Sequence, residues 1–86
     1  MISLPEVARF YGIIIQIRFS REHNPPHFHA VYGEYEGAFD ISTLEMLVGN
    51  LPSKAQSLVK EWASSYKTEL MEMWNTKKLQ KLQPLE

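Results

Sequence analysis

The clearest chemical feature of this sequence is a histidine cluster. The three histidines of the 86-residue chain, His23, His27 and His29, lie close together in the first half. Imidazole titrates near neutral pH without help from its surroundings, so neighbouring histidines can supply both an acid and a base. Imidazole is also the commonest metal ligand, and two rings from one strand with a third group would suit zinc or iron. A structural role, with the rings bonded to Asp40, Glu22 or backbone carbonyls, is the third alternative that the residues leave open.

The natural companions of such a cluster are Arg9, Tyr11, Arg18 and Arg21. A guanidinium can hold a phosphate through two parallel hydrogen bonds, and a tyrosine can donate a hydrogen bond or stack on a base. Beside a histidine pair, they would form a metal-free ribonuclease site in which the 2′-hydroxyl attacks the adjacent phosphate. Each of them also has an ordinary role, the tyrosine at the edge of a sheet and the arginines on a solvated surface. The candidate catalytic residues are therefore His23, His27, His29, Arg9 and Tyr11, with no cofactor predicted and metal binding left undecided.

The first half of the chain is predicted to form strands. Residues 7–11 and 13–19 are rich in β-branched and aromatic side chains. We interpret Gly12 between them as a bulge or bend, because a single residue cannot close a hairpin. Residues 27–32 and 35–41 give the clearest hairpin signal, and a short strand over 45–48 can follow.

Strand alternation predicts how the histidines are arranged. Side chains two residues apart in a strand point to the same face, so His27 and His29 should lie side by side. His23 lies across the corner formed by Pro25 and Pro26, whose rigid rings could hold it within reach of the other two. The sequence therefore predicts one shared site for all three histidines.

The second half of the chain is predicted to be helical. Ser53 is a plausible N-cap, and apolar residues at helical spacing indicate helices over about 53–64 and 66–80, the second capped through Ser65. Trp62 and Trp74 lie on the apolar stripes, so we place both in the core or an interface. The predicted fold is α+β. It comprises a single domain over residues 1–86, with an antiparallel sheet of four to five strands (about 6–48) followed by two C-terminal helices (about 53–80) packed on one face.

Composition excludes several classes of protein. The chain is 44% hydrophobic and 22% charged, which is typical of a globular domain and not of a disordered one. It has no cysteine, so disulfides and thiolate metal sites are excluded.

No signal-peptide pattern or membrane-length apolar run is present, so a cytoplasmic protein without membrane contact is expected. A net charge of −1 gives the whole molecule no general attraction for nucleic acid. A domain this short buries only about 60–65% of its unfolded surface, which favours self-association or a protein partner.

Several segments together resemble a known family. They are residues 8–12 (ARFYG), 23–30 (HNPPHFHA), 32–33 (YG), 39–41 (FDI), 49–52 (GNLP), 61–63 (EWA) and Trp74. The resemblance is to the bacterial domain-of-unknown-function family numbered 4160, and it covers roughly residues 4–75. The sequence differs from the family pattern at Ile14, where a polar or basic residue is usual, and at Glu22, where aspartate is common.

The resemblance implies a biological setting but no catalytic residues. Many members look to be encoded beside a second small protein of another uncharacterised family, numbered 2442, in an arrangement similar to a two-gene toxin–antitoxin module. We therefore expect a small cytoplasmic bacterial protein with a protein partner encoded nearby, more specifically the toxin-like member, acting on RNA through the histidine cluster. Two alternatives stay open. One is a non-catalytic interaction module (an antitoxin or regulatory partner) with structural histidines, and the other is a histidine-based metal-dependent enzyme.

Overall fold

A computed structural model, which describes residues 5–19 and 25–86, has an antiparallel sheet followed by two helices. The elements are β1 (Glu6–Phe10), β2 (Ile13–Gln16), β3 (His27–Tyr32), β4 (Tyr35–Asp40), β5 (Met46–Asn50), α1 (Ser53–Ser64) and α2 (Lys67–Thr76). The order of the strands in the sheet is their order in the chain. The predicted α+β fold is confirmed, with five strands. None of the helices in the described ranges is long and apolar enough to span a membrane.

The first hairpin closes through a two-residue turn. Phe10 pairs with Ile13, so Tyr11 and Gly12 alone form the connection, and their φ angles are 50° and 81°. Two consecutive positive φ angles are the mark of a type I′ turn, whose twist matches that of antiparallel strands. Our interpretation of Gly12 as a bulge was therefore wrong. Tyrosine is rarely found in this conformation, so the usual Asn-Gly signal was missing from the sequence.

The core lies between one face of the sheet and the two helices. In β3, Phe28 and Ala30 are fully buried, and the ring of Phe28 stacks on Phe39 of β4 at 5.4 Å between centroids. Trp62 of α1 is 1% exposed, and its ring centroid lies 5.4 Å from that of Phe10 and 6.3 Å from that of Phe28. The placement of Trp62 in the core is confirmed. These contacts leave the alternate side chains of β3, which include both described histidines, on the opposite face.

The helix ends differ from the sequence prediction. α1 begins at Ser53 with Pro52 in the N-cap position, and Tyr66 occupies that position in α2, neither making a capping side-chain hydrogen bond. The predicted caps at Ser53 and Ser65 were therefore wrong. α2 ends at Thr76, earlier than predicted, because Lys77 adopts a left-handed conformation with φ 62° and donates its N–H to the carbonyl of Met73.

The segment after α2 lies against the rest of the molecule. The N–H of Leu82 donates to the carbonyl of Val7 in β1 at 2.9 Å. The indole N–H of Trp62 donates to the carbonyl of Gln83 at 2.8 Å. Residues 82–83 therefore tie the start of the sheet to the last turn of α1.

Candidate functional site

Two of the predicted site residues lie side by side on the sheet face opposite the core. The rings of His27 and His29 are 5.2 Å apart between centroids and meet edge to face at 68°. Both side chains are half-buried, so each still has a solvent-facing part. The prediction that these two histidines share a face is confirmed. His23 lies outside the described residues, so its predicted approach to them stays a prediction.

His27 is oriented by the backbone that precedes it. Its Nδ1 lies 2.8 Å from the carbonyl oxygen of Pro25, and a carbonyl can only accept, so Nδ1 carries the hydrogen and donates it. This bond leaves Nε2 as the nitrogen available to a substrate or to proton transfer. The ring packs against Trp74 of α2 at 5.0 Å between centroids, which limits its rotation. One form of the structural alternative, a bond to a backbone carbonyl, is thus present and is compatible with a chemical role for Nε2.

His29 has one cationic and one anionic side chain beside it. Its Nδ1 is 3.3 Å from both Glu36 Oε2 and Arg18 Nη1. Burial lowers the pKa of His29 below its ordinary value, and the positive charge of Arg18 and the neighbouring His27 lower it further, against an opposing pull from Glu36. The imidazole of His29 is therefore neutral around pH 7, in a state that can accept a proton.

Arg18 and Glu36 form a two-point ion pair beside His29. Arg18 Nη1 donates to Glu36 Oε2 at 2.7 Å and Nη2 donates to Oε1 at 3.2 Å. The guanidinium also donates twice to Gln16 Oε1, from Nη2 at 2.7 Å and from Nε at 3.0 Å. The bonds from Arg18 lower the pKa of the Glu36 carboxyl, so Glu36 stays ionised next to His29. Arg18 and Glu36 thus place one positive and one negative charge beside Nδ1 of His29, and Gln16 helps to hold the guanidinium in position.

Sequence reasoning did not find this ion pair as part of the site. Gln16 and Arg18 are two residues apart in the strand predicted over 13–19, so alternation places them on one face, but it does not say which residues of the neighbouring strands they meet. The pairing register of the strands determines which residues meet, and in this register Gln16 pairs with His29 in β3. Glu36 reaches the same place because β4 pairs with β3 through Val31 and Glu36. No signal in one sequence fixes these registers.

The structure does not bring Arg9 and Tyr11 to the histidines. Arg9 is on β1, two strands from β3, or about 10 Å away at the usual strand spacing, and its guanidinium donates to Glu6 Oε1 at 2.8 Å. Tyr11 is in the turn at the end of the sheet where Tyr32 lies. Tyr32 is three residues from His29 along β3, so this end of the sheet is about 10 Å from His29. Of the arginines expected beside the cluster, Arg18 lies at His29 and Arg9 does not, and Arg21 is outside the described residues.

The metal alternative has little support within the described ranges. No group of three or more His, Cys, Asp or Glu side chains there is arranged to hold an ion. Asp40 pairs with His27 in the register of β3 and β4, but its Oδ1 accepts the N–H groups of Ser42 at 2.7 Å and Thr43 at 3.0 Å. Asp40 thus stabilises the turn after β4, and no hydrogen bond between it and His27 is present.

Comparison with known proteins identifies the family. The model of a domain of unknown function (DUF4160) matches residues 12–75, well over half of the chain. The chain belongs to this family. The matched part of this DUF4160 protein runs from the first turn to the end of α2 and includes His27, His29, Arg18 and Glu36. No curated protein and no solved structure matches the chain.

Proposed function

We propose that this DUF4160 protein cleaves RNA without a metal, as the toxin-like member of a two-gene toxin–antitoxin-type module. One observation carries the chemical part of this proposal. Two imidazoles lie 5.2 Å apart between centroids on the sheet face opposite the core, and different partners hold their Nδ1 atoms. Neighbouring titratable groups in unlike environments are the arrangement that divides acid and base roles. The toxin-like role rests on the arrangement that the family resemblance implies.

His29 is the proposed general base. Its lowered pKa keeps it neutral at pH 7. The base is the tautomer whose Nδ1–H faces Glu36 Oε2, at 3.3 Å, because this tautomer has its lone pair on Nε2; in the other tautomer Nδ1 accepts from Arg18 Nη1. Nε2 removes the proton of an RNA 2′-hydroxyl, and the 2′-oxygen forms a bond to the adjacent phosphorus. Glu36 then stabilises the imidazolium that results, as a carboxylate does beside a catalytic histidine.

His27 is the proposed general acid. The carbonyl of Pro25 holds Nδ1–H in both protonation states, so the protonated ring presents Nε2–H to the substrate. As the bond from phosphorus to the 5′-oxygen breaks, Nε2 gives its proton to that oxygen. The products are a 2′,3′-cyclic phosphate and a free 5′-hydroxyl, and the two histidines have exchanged protonation states. The charges and atoms balance without a metal ion or other cofactor.

An aromatic and basic surface beside His27 supports RNA as the substrate class. Phe19 is 37% exposed, and its ring centroid is 6.5 Å from that of Trp74. The ammonium of Lys77 lies 5.1 Å from the Phe19 ring centroid and 4.8 Å from that of Trp74. Exposed aromatic rings stack on unpaired bases, and nearby cations attract the phosphates, so single-stranded RNA suits this surface.

Cleavage of a single-stranded RNA oligonucleotide by the purified full chain tests the proposal. We expect products ending in cyclic phosphate, a bell-shaped pH profile and full activity in EDTA. His27→Ala and His29→Ala should each lower the rate roughly 10²–10⁴-fold. Lys60→Ala, a change on the exposed side of α1, is the matched control and should leave the rate unchanged. An oligonucleotide with 2′-deoxyribose at the cleaved position should stay intact. Intact RNA with the parent protein, or equal rates in the parent and both histidine variants, would overturn the proposal.

One observation favours the interaction module as a second candidate. β5 is an edge strand, and its Leu47 and Val48 are 46% and 69% exposed. The strand has no charged residue and no proline, which are the usual protections against pairing with another chain. A partner strand could therefore extend the sheet at β5.

Co-purification with the small partner protein that the family resemblance implies tests the second candidate. Val48→Lys should abolish co-purification if β5 is the contact, whereas Lys60→Ala should not affect it. Unchanged capture by Val48→Lys would exclude β5. The two candidates also differ in the cleavage assay, because the interaction module alone predicts that RNA remains uncut.

A further inference from the structure

A cavity of about 510 Å³ lies at the turn end of the sheet, apart from the histidines. The residues that form its walls come from the first turn, from β2 and β3, and from the start of α1. They include Tyr11, Ile13, Tyr32, Lys54, Ala55 and Leu58. This volume lies within the range of pockets that bind small molecules.

The cavity and the histidines are on different faces of the sheet. Tyr32 pairs with Ile13, which is fully buried, and alternates along β3 with Val31 and His29. Tyr32 therefore shares the core face with Phe28 and not the face of the histidines. A ligand in this cavity would not contact His27 or His29, so an inference about it does not depend on the proposed RNA cleavage.

The lining has an apolar floor, aromatic walls and a cation. Ile13 and Ala55 are 0% and 4% exposed and form the floor, whereas Tyr11 and Tyr32 keep exposed ring surface. Lys54 is the only charged residue of the lining among the described part of the chain. Flat apolar surface between two aromatic rings suits a planar ring, and one ammonium suits one acidic group.

The backbone at Tyr11 is a second observation that points to this site. Tyr11 has a φ of 50°, a left-handed conformation that costs stability for a bulky residue and that asparagine or glycine adopts more readily at this turn position. A Cβ added to the next residue, Gly12, would lie 3.4 Å from the ring of Tyr32, so the turn packs closely on that ring. Strained conformations of this kind concentrate at binding sites, where the side chain serves a purpose other than folding.

We infer that this cavity binds a small aromatic anion, a planar ring that carries a carboxylate or a phosphate. The ring lies over Leu58, with the buried Ile13 beneath, between Tyr11 and Tyr32, and the acidic group binds the ammonium of Lys54. Both groups of the ligand are needed, because neither the apolar floor nor the single cation offers much binding alone.

NMR titration of the full chain tests this inference with four probes. Adenosine monophosphate and salicylate carry a ring and an acidic group, whereas adenosine and inorganic phosphate each carry one of the two. We expect saturable shifts of the Gly12 and Ala55 amide signals with an aromatic anion, and binding of each single-group probe weaker by about tenfold or more. Response to adenosine monophosphate alone assigns the acidic group as phosphate, and response to salicylate alone assigns it as carboxylate.

Two variants and a control separate a real site from general stickiness. Tyr11→Asn should lower the affinity for the aromatic anion by about tenfold or more while raising the melting temperature, since asparagine fits the turn better. Lys54→Gln should weaken binding of the anion and leave adenosine binding unchanged. Lys60→Gln, on the same helix but outside the cavity, should leave both unchanged. The absence of saturable shifts, or shifts that persist equally in Tyr11→Asn and Lys54→Gln, would overturn the inference.

Discussion

Replacement of Trp62 by alanine is expected to remove a large part of the stability of this protein. The Trp62 side chain is 1% exposed and makes ring contacts with Phe10, Phe28 and Tyr66, the last at 5.3 Å between centroids. Its indole N–H also donates to the carbonyl of Gln83. Alanine would leave a cavity between the sheet and α1 and would release the C-terminal segment from this bond.

The size of the effect follows from these contacts. Truncation of a buried tryptophan to alanine costs about 3–5 kcal/mol, of which the hydrogen bond contributes about 1 kcal/mol. A domain of 86 residues has a total free energy of unfolding of about 4–13 kcal/mol. Each kcal/mol lowers the melting temperature of a domain this size by about 4–8 °C, so a fall of roughly 12–40 °C is expected.

Thermal and urea unfolding, followed by circular dichroism, measures the effect. Trp62→Phe is the matched control, because it keeps an aromatic ring and loses only part of the volume and the N–H. It should fall between the parent and Trp62→Ala, with a loss of about 1–2 kcal/mol. The remaining tryptophan provides a fluorescence signal in both variants. A Trp62→Ala protein that melts within a degree or two of the parent would refute the placement of this side chain at the centre of the core.

Four further predictions concern the site and the turns. An NMR titration of His29 should have its midpoint below the ordinary histidine pKa. Arg18→Gln should raise this midpoint, because it removes a cation that lowers the pKa of His29. An unchanged midpoint would exclude the effect of Arg18. A lowered pKa means that the folded state binds fewer protons than the unfolded chain in this pH range. The free energy of unfolding, measured with urea, should therefore fall as the pH drops from about 6.5 through the pKa of His29 in the folded state, and His29→Gln should lack this loss. Tyr11→Asn should raise the free energy of unfolding by about 1 kcal/mol, and a lower value would contradict the strain at this turn. Gly49→Ala should lower the free energy of unfolding by about 1–3 kcal/mol, because φ at this position is 108° and the new Cβ would lie 2.3 Å from the carbonyl oxygen of Glu36. A variant as stable as the parent would show that β5 can shift.

The fold was accessible from the sequence because its patterns are strong. Period-two alternation over residues 27–32 and 35–41, with a two-residue gap between them, predicted the hairpin of β3 and β4, and the helical spacing of apolar residues predicted both helices. Alternation alone also placed His27 and His29 side by side. The turn at Tyr11 was missed because its residue type is unusual for its backbone conformation. The caps were wrong because Ser53 is already helical and Ser65 is the C-cap of α1, one residue before the N-cap of α2.

The surroundings of the histidines could not be predicted in the same way. Which residues face His29 depends on the register of β2 and β4 against β3, and alternation defines faces but not registers. Glu36, and its ion pair with Arg18 beside His29, therefore entered the site only with the structure. The same limit explains Arg9, whose position within the predicted strand over 7–11 said nothing of its pairing with Glu6 or of its distance from β3.

The hydrogen bond between Leu82 and Val7 joins residues from opposite ends of the described chain, whereas every strand of the sheet pairs with its neighbour in the sequence. Neighbouring strands close short loops, so the five-stranded meander should form early and quickly. During synthesis, however, the carbonyl of Val7 gains this partner only after residue 82 has left the ribosome, and the indole of Trp62 waits for residue 83. The nascent sheet therefore passes through a stage in which β1 lacks its final hydrogen bond and β5 is open as well, the stage at which edge-to-edge pairing with other nascent chains is most favoured.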